Sequence, residues 1–360
     1  MSARYQKQSN KKVESVVLDL IIDGQRPSAK LLPRVMSASV DLSVDKTGML
    51  TLEMESYDKK KDEAHWMDNE LVSLGKAIEV KMGYGNDVKS LFFGDIMGIS
   101  ASLSPAEPPT LTIRAYDRRH KLETYSASRH FEKKTYTDIA RDVAYAAGLS
   151  FKGDDSKVTH EYVEKFNQSD MAFLEKLARE INYHVTVVGK NLLFEPVANR
   201  ESEIVTLTLE NDLMDFSVDM SLALHTSEVI VRGWDPVEKK EIVGEAGSGT
   251  EETKMGGSAS ASQLYKKHFG PVAAEITNHP VRTKAEADQL AKARLNETAL
   301  GLIEASGSIM GNTQLVPGKV IKITGAGNRF SGTYYVASAT HRIDHKNGYR
   351  TSFTARRNAQ

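Results

Sequence analysis

Residues 75–81 read GKAIEVK, and residues 318–324 read GKVIKIT. Both stretches open with Gly-Lys and then alternate apolar with polar residues, which is the pattern of a strand with one buried face. After each start come a glycine-containing turn, an aromatic residue beside a glycine (Phe93 and Gly94; Phe330 and Gly332), a further strand, a connection and a strand that ends near arginine. The sequence therefore predicts one β unit present twice. Antiparallel meanders share turn chemistry, so chance likeness remains the alternative.

The composition is that of a folded globular protein. The chain has 360 residues, of which 40% are hydrophobic and 26% are charged, and this length favours two or three compact units. Its 47 basic and 48 acidic residues nearly cancel, so no overall field attracts nucleic acid or anionic lipid, and any such contact must be local. The absence of cysteine excludes disulfides, thiolate metal sites and cysteine nucleophiles.

No membrane or export segment is predicted. The basic stretch MSARYQKQSNKK is followed by the short apolar run VVLDLII, which lacks the length and the cleavage site of a signal peptide. No run approaches the roughly 18 apolar residues that a spanning helix requires. We therefore expect a protein that is made and folded in a cytoplasm.

The first third of the chain has the pattern of an antiparallel β unit. From Val13 to about His120, strand-like runs follow one another, with DKTG as a hairpin turn and the Pro-rich SPAEPP (residues 104–109) as a loop that cannot continue a ladder.

The pattern changes at about Tyr125, where a small α+β insert is predicted. One amphipathic helix has Thr135 or Thr137 as its cap and Gly148 at its C-terminal end, and a second begins at Ser169. A hairpin that turns at Gly189 completes the insert.

Strands return at Glu203. Residues 244–262, GEAGSGTEETKMGGSASAS, are small and polar, and they predict a mobile loop. A helix then begins where Thr283 and Glu286 have the spacing of a capping box, and four strands end the chain.

These patterns predict a mainly β fold with an α+β insert. We expect a first tube-like antiparallel β-barrel over residues 1–122, the insert over 123–202, and a second tube-like barrel over 203–360 that carries helix 283–298 and the loop 244–262; strands 203–240 can instead belong to the first barrel. Three such chains would place six similar units around one axis, so a trimeric ring would imitate sixfold symmetry.

Three stretches resemble a known family: FEKKTYTDIARDVAYAAGL (131–149), FNQSDMAFLEKLAREINYHVTVVGKNLLFE (166–195) and VPGKVIKITGAGNRFSGTYYVASATHRIDHKNGYRTSFTARR (316–357). They are similar to the late control protein D family, the baseplate hub proteins of contractile phage tails, whose relatives form the N-terminal hub of VgrG spikes. Together with the order of the strands before them, they cover nearly the whole chain.

The resemblance implies a homotrimeric hub that joins the hexameric inner tail tube to the trimeric spike. The implied partners are the spike protein, the tube or tube initiator protein and the baseplate wedge proteins, in a phage tail or a tail-like particle. It implies no chemistry and no cofactor. VgrG chains continue into a spike, whereas this sequence stops at Gln360, so we expect the spike to be a separate chain. Within the matched stretches, the expected caps are Thr137, Ser169 and Asp170, and the expected turn residues are Gly318 and Gly332.

Candidate metal and catalytic motifs do not reach their required spacing. His341 and His345 lie on a predicted strand, about 13 Å apart, which is too far to share an ion, so both are expected to be exposed strand histidines. HEYVE (160–164) lacks the second histidine of a zinc protease motif. The glycine-rich GEAGSGT and GNTQLVPGK lack the phosphate-loop spacing, and Ser308 in GSIMG has the wrong offset for a nucleophile elbow.

The charged clusters have simpler interpretations. Asp212, Asp215 and Asp219 are expected on a solvated face. DRRHK (117–121) and TARRN (354–358) could contact nucleic acid that passes through a lumen, or they could have a structural role in each repeat. We therefore predict that the protein is not an enzyme and holds no metal.

Two other functions stay open. The insert near residues 125–200 could bind peptidoglycan in the cell wall, which would need exposed Tyr or Trp in a groove. We expect Tyr136, Tyr145 and Phe173 to belong to a packed stripe instead. A wall-degrading enzyme finds no supporting carboxylate or metal motif.

Overall fold

The structure is a computed structural model that describes residues 15–27, 32–58, 63–64, 67, 69–104, 107–197 and 202–360. The basic stretch that opens the sequence lies outside these ranges. The fold is mainly β, with 52% strand and 18% helix.

The strands run in chain order as β1 (Val16–Ile22), β2 (Val35–Ser43), β3 (Met49–Glu55), β4 (Tyr57–Asp58), β5 (Glu63–Ala64), β6 (Ala77–Tyr84), β7 (Asp87–Ser104), β8 (Glu107–Asp117), β9 (Ser126–Thr135), β10 (Ser150–Gly153), β11 (Thr159–Ser169), β12 (Tyr183–Val188), β13 (Asn191–Pro196), β14 (Val205–Thr208), β15 (Leu213–Met220), β16 (Glu228–Asp235), β17 (Lys240–Gly247), β18 (Ala273–Ile276), β19 (Ile303–Met310), β20 (Val320–Thr324), β21 (Gly332–Asp344) and β22 (Gly348–Arg357). The helices are α1 (His120–Glu123), α2 (Tyr136–Ala146), α3 (Asp170–Glu180), α4 (Ala261–Phe269), α5 (Lys284–Ala299) and α6 (Gly327–Phe330), and a 3₁₀ turn covers Leu32–Arg34.

One large sheet joins strands from both ends of the chain. It contains 12 strands in the order β1-β6-β7-β8-β3-β2-β21-β22-β19-β15, and β20 pairs with both β21 and β14. The N-terminal and C-terminal strands meet where β2 pairs antiparallel with β21. One apolar core lies on each side of this junction. The backbone hydrogen bonds between β2 and β21 join the two halves of the chain into one sheet.

The strand order on one side of the junction repeats on the other. It reads β1-β6-β7-β8-β3-β2 in the first half and β14-β20-β21-β22-β19-β15 in the second. The registers also agree, since the ladder of β7 and β8 has a bulge between Ile96 and Gly98, and the ladder of β21 and β22 has one between Val336 and Ser338. One difference is that β1 runs antiparallel to β6, whereas β14 runs parallel to β20.

The two Gly-Lys starts are equivalent in this repeat. Gly75 and Gly318 have φ of 81° and 82°, in the left-handed region that favours glycine. The Gly75 N–H donates to the Ile96 carbonyl at 2.8 Å, and the Gly318 N–H donates to the Val336 carbonyl at 2.9 Å. The shared sequence start therefore reflects a shared turn into the same strand.

One match predicted between the repeats is wrong. Asp95 pairs with Ala77 as Tyr335 pairs with Val320, so Gly94 corresponds to Tyr334 and not to Gly332. The reason is the connection: β6 and β7 continue to a tight turn, whereas β20 stops early and α6 bridges to β21. The predicted arginines at the strand ends are present, since β8 ends directly before Arg118 and β22 ends at Arg357.

The α+β region forms a compact body of its own. Helices α2 and α3 pack on the sheet β10-β13-β12 and on the pair β9-β11 around an apolar core that runs from Leu122 to Phe194. Thr135 caps α2, because its side chain accepts from the Asp138 N–H, and the predicted cap Thr137 instead donates to the Asp154 carbonyl at 2.6 Å. Ser169 caps α3 as predicted.

A second small body lies between β15 and β19 in the chain. Strands β16, β17 and β18 form a separate three-stranded sheet, and α5 packs on it. The capping box of Thr283 and Glu286 is present at the start of α5. Of the strands in residues 203–240, β14 and β15 therefore pair with C-terminal strands, and β16 lies outside the large sheet.

The predicted loop 244–262 is shorter in the structure. Its first four residues finish β17, Ser260 caps α4, and the residues between them form turns and bends in which Met255 is buried. Gly244 serves close packing, since a Cβ there would stand 2.2 Å from the backbone of Ala287 in α5. Glycine here admits a helix against a strand.

The predicted Pro-rich loop is also shorter than expected. Pro108 and Pro109 belong to β8, where the ladder with β7 has an irregularity between Ser102 and Ser104. A ladder accepts proline at such a bulge because the missing N–H is not needed there.

His341 is buried, contrary to the prediction of an exposed strand histidine. Its Nε2 lies 3.1 Å from the Leu315 carbonyl, which can only accept, so Nε2 carries the proton. Its Nδ1 then accepts from the Tyr349 hydroxyl at 2.9 Å, with the Thr351 hydroxyl at 3.1 Å. Burial lowers the pKa of His341 to about 4, against a smaller raising effect of the Leu315 carbonyl.

We predict that this histidine makes the protein sensitive to acid. An unfolded histidine binds its proton near pH 6.5, whereas the folded one stays neutral until about pH 4, so the free energy of unfolding should fall by roughly 3 kcal/mol as pH drops through this window. Urea titrations at several pH values should show this loss in the natural protein.

The His341→Gln variant should show a flatter pH dependence, because glutamine does not titrate. His345→Gln, at an exposed turn position, is the matched control and should keep the natural slope. An unchanged slope in His341→Gln would contradict the assignment.

Candidate assembly surface

Two strand edges of the large sheet are unpaired among the described residues, one on β15 and one on the second half of β7. The equivalent edges in the other half of the chain, on β2 and β21, are paired. Strand β15 pairs with β19 on one side, and no described strand covers its other side. Strand β7 pairs with β6 only as far as Asp95, so Gly98–Leu103 has an open side among the described residues. An open strand edge presents backbone N–H and C=O groups that another strand can bind.

The counterparts of both edges are paired with each other inside the chain. Strand β21 is the counterpart of β7, and its residues Ser338–Asp344 carry β2 on the side that is open in β7. The same pairing covers one side of β2, which is the counterpart of β15.

The registers fix the correspondence between β2 and β15. Ala115 and Ala355 are equivalent, because they pair with the equivalent residues Ile96 and Val336. They pair in turn with Leu50 and Ala305, which are therefore equivalent. Val40 of β2 pairs with Leu50 and Val218 of β15 pairs with Ala305, so Val40 corresponds to Val218. Both outer ladders then contain a bulge at the same place, between Val35 and Ser37 in β2 and between Leu213 and Asp215 in β15.

The sequences of these strands agree as well. VMSASVDLS (35–43) and LMDFSVDMS (213–221) share Met, Ser, Val, Asp and Ser at equal places. Sequence reasoning missed this second repeat because a single strand is a weak signal until its partners are known. The shared SVD core could have revealed it.

An open groove follows the junction of β2 and β21. It has a volume of about 450 Å³, and its lining mixes polar and apolar residues, among them Asp41, Leu42, Met49, Thr340 and Arg356. The Thr340 hydroxyl donates to Asp41 at 2.6 Å, and Ser338 and Thr354 share a hydrogen bond of 2.6 Å.

The unpaired half of β7 also exposes apolar side chains. Leu103 is 67% exposed, and Ala101 is also exposed. Their counterparts in β21 are Ile343, which is half-buried, and His341, which is fully buried. Strand β2 pairs with this part of β21, whereas no described strand pairs with the equivalent part of β7.

The predicted basic clusters are mostly used inside the fold. Arg119 is 4% exposed; its Nε donates to Glu123 at 2.9 Å, its Nη1 to the Val44 carbonyl at 3.3 Å, and it pairs with Glu175 of α3. Arg118 lies over the Phe93 ring at 4.6 Å. Arg119 therefore fastens the α+β region to the turn between β2 and β3.

Equivalent places at the ends of β8 and β22 hold charges of opposite sign, the half-buried Asp117 and the buried Arg357. Asp117 accepts from the backbone N–H groups of Gly48 and Arg119 at 2.7 and 3.0 Å, and burial raises its pKa to about 6 despite these bonds. Arg357 is buried against Gly332, where a Cβ would stand 2.5 Å from the guanidinium carbon, and it donates to the Ser331 carbonyl at 2.8 Å. Gly332 is thus a strand glycine that admits an arginine, and the predicted turn role is wrong. Of the two arginines of TARRN, only Arg356 is partly exposed, and it lies within 4 Å of Asp45 and Glu304.

A cluster of His and Glu side chains joins the α+β region to α5. His160 pairs with Glu286 at 3.2 Å and stacks on Tyr136, and His279 pairs with Glu180 at 3.5 Å. Burial acts to raise the pKa of Glu286, but hydrogen bonds from His160 and backbone N–H groups outweigh it and leave the pKa below its usual range. The cavity here measures only about 40 Å³, so the cluster has the form of a structural clasp.

The remaining predicted site residues are dispersed. Asp212, Asp215 and Asp219 are exposed as expected, and the Ser308 hydroxyl donates to Asp215. Tyr136 and Phe173 are buried, but Tyr145 is 62% exposed, so its place in the packed stripe was wrong. In the described ranges, no group of three His, Asp or Glu side chains could hold a metal ion. The helices found there are all too short or too polar to cross a membrane.

We predict that Arg119→Met lowers the free energy of unfolding by about 3 kcal/mol, since it removes buried ion pairs and two bonds to backbone carbonyls. Urea denaturation would measure the loss. Arg114→Met is the control: Arg114 is exposed and donates only to Ser100 in the described contacts, so this change should cost less than about 0.5 kcal/mol. Equal stability of the two variants would refute the role of Arg119.

Comparison with solved structures shows the fold to be that of phage tail proteins. The 43 kDa tail protein of prophage MuSo2 from Shewanella oneidensis is 15% identical with a TM-score of 0.72, covering 95% of this chain and 98% of that one. A tail protein from Neisseria meningitidis MC58 is 10% identical with a TM-score of 0.70, covering 95% and 96%. The E. coli c3393 protein, a component of the type VI secretion system, is 13% identical with a TM-score of 0.62, covering 95% and 77%.

At the level of sequence, the family model Alg8_N, described as the Alg8 N-terminal domain, matches residues 12–345. No curated protein matches the chain.

Proposed function

The chain belongs to the Alg8 N-terminal domain family, and from its fold we propose that it is a structural baseplate hub protein of a contractile phage tail or tail-like injection particle. The proposal retains the late control protein D resemblance as its basis for the hub role. No catalytic step is part of it.

The observation that carries the proposal is the strand order that occurs twice in one chain. A hub must present six similar surfaces to a hexameric tube and three to a trimeric spike. A homotrimer of a chain with two similar β units meets both demands, because it has six similar units and true threefold symmetry. The likeness to tail proteins over nearly the full length supports the same conclusion at the level of fold.

In this proposal the chain has three working parts. Residues 1–122 and 203–360 supply the two tube-like barrels, and residues 123–202 supply an outer α+β domain. The ring would seat the tube or tube initiator protein on one side and the spike on the other, and wedge proteins would contact its outside. The lumen would then give passage to DNA or protein after the spike departs. The protein would assemble in the bacterial cytoplasm and become part of the particle.

The proposal is tested by the assembly state of the purified protein. We expect sedimentation to show a trimer, alone or with the cognate spike or tube protein, and negative-stain averages to show a threefold ring with a central hole. A protein that stays monomeric alone, with the spike protein and with the tube protein would contradict the hub role.

Binding of peptidoglycan is a second candidate, favoured by exposed aromatic side chains on the α+β region. Tyr145 is 62% exposed, and Tyr162 is exposed and stacked on His130. Exposed tyrosines bind sugar rings where they line a groove. Retention of the full chain on purified peptidoglycan, and its loss in Tyr145→Ser or Tyr162→Ser, would support this function; equal retention of both variants would argue against it.

A further inference from the structure

We infer that β15 of one copy of this chain pairs antiparallel with the open half of β7 of a second copy, in the register that β2 uses on β21. This inference rests on the proposed ring and deepens it, because it names the strands that join the subunits. The occupant of both open edges is a second copy, since the covered version of the same junction is present within the chain.

The register follows from the correspondences already established. Inside the chain, Val40 stands opposite His341 and Asp41 opposite Thr340. Replacing β2 by β15 and β21 by β7 gives the pairs between the two copies. The residue of β15, or Ser221 directly after it, is named first in each pair: Phe216 with Leu103, Ser217 with Ser102, Val218 with Ala101, Asp219 with Ser100, Met220 with Ile99 and Ser221 with Gly98.

The faces of the two strands agree in this register. Phe216, Val218 and Met220 form the half-buried side of β15 and pack partly against the core. They would lie opposite Leu103, Ala101 and Ile99, which form the apolar side of β7. The polar residues fall on the other face. A shift by one residue would place apolar side chains opposite polar ones, so burial of one face selects this register.

One side-chain hydrogen bond is reproduced across the predicted junction. In the chain, the Thr340 hydroxyl donates to Asp41 at 2.6 Å. Between copies, Asp219 takes the place of Asp41 and Ser100 takes the place of Thr340. The Ser100 hydroxyl already accepts from Arg114 at 3.1 Å, so it is free to donate its proton to Asp219, with the Arg114 charge nearby.

The pairing is of the head-to-tail kind. Strand β15 is at one end of the large sheet and the open half of β7 is near the other, so each copy offers one of each. Head-to-tail contacts form a ring when the rotation closes. Along such a ring, junctions within chains would alternate with junctions between chains, and all would use the same strand geometry.

The test uses cysteine pairs, because the natural chain contains none. Asp219→Cys and Ser100→Cys are made as separate proteins, mixed, mildly oxidised and resolved on non-reducing gels, with the linked peptides identified by mass spectrometry. We expect a covalent pair of chains. Asp219→Cys mixed with Ser102→Cys is the mismatched control, and its link should be lost, since diagonal positions lie about 7–8 Å apart, beyond disulfide reach. Asp41→Cys with Thr340→Cys in one chain is the positive control and should link within the chain.

A second measurement does not depend on oxidation. Leu103→Lys places a charge on the inner face of the open edge and should abolish the ring in sedimentation. Val237→Lys adds the same charge at an apolar site that is 84% exposed, at the turn between β16 and β17, and should leave the ring intact.

The outcomes separate this inference from the hub proposal. Rings that form while the 219–100 link is absent and the 41–340 link is present would overturn the strand pairing and leave the hub. Rings that survive Leu103→Lys would overturn it as well. If neither association nor the link is found with the spike or tube protein present, both proposals fall. A link between residues 219 and 100 that forms in the matched mixture and is absent from the mismatched control supports the pairing.

Discussion

The antiparallel pairing of β2 with β21 is the interaction on which the rest of the structure depends. Strand β21 is long enough to hold β20 with its first half, β2 with its second half and β22 along its other side. Backbone hydrogen bonds between residues near 40 and residues near 340 thereby join the two repeats into one sheet. His341 lies buried in this region, bonded to Tyr349 and to the Leu315 carbonyl, and Thr340 beside it donates to Asp41 of β2.

Charged side chains connect the large sheet to the α+β region, and the α+β region to the small body that contains α5. Arg119 reaches from the end of β8 to Glu175 and to backbone carbonyls in the turn after β2, and it positions the α+β region. The His160–Glu286 pair connects the same region to α5, and the His279–Glu180 pair connects it to the segment before α5. These contacts hold the two small bodies against each other, while strand β15 and the second half of β7 keep unpaired edges among the described residues.

Local signals in the sequence were sufficient for the elements and not for their pairing. The cap at Ser169, the capping box of Thr283 with Glu286 and the turn at Gly318 follow from short-range chemistry, and all are present. The match of Gly94 with Gly332 failed, because β20 is shorter than β6 and a longer connection leads from it into β21, and no local pattern reports where a strand stops. The equivalence of β2 with β15 became visible only through their partners β3 and β19.

By itself, the sequence determined a mainly β chain with a helical insert and a repeated Gly-Lys strand, because turn glycines, caps and apolar alternation act over a few residues. Only the tertiary structure decided which faces are covered. The glycines near 244 proved to be packing contacts, His341 proved to be buried, and equivalent edges proved to be covered in β21 and open in β7. Burial depends on strands that are hundreds of positions away in the chain, and a pattern of neighbouring residues carries no record of them.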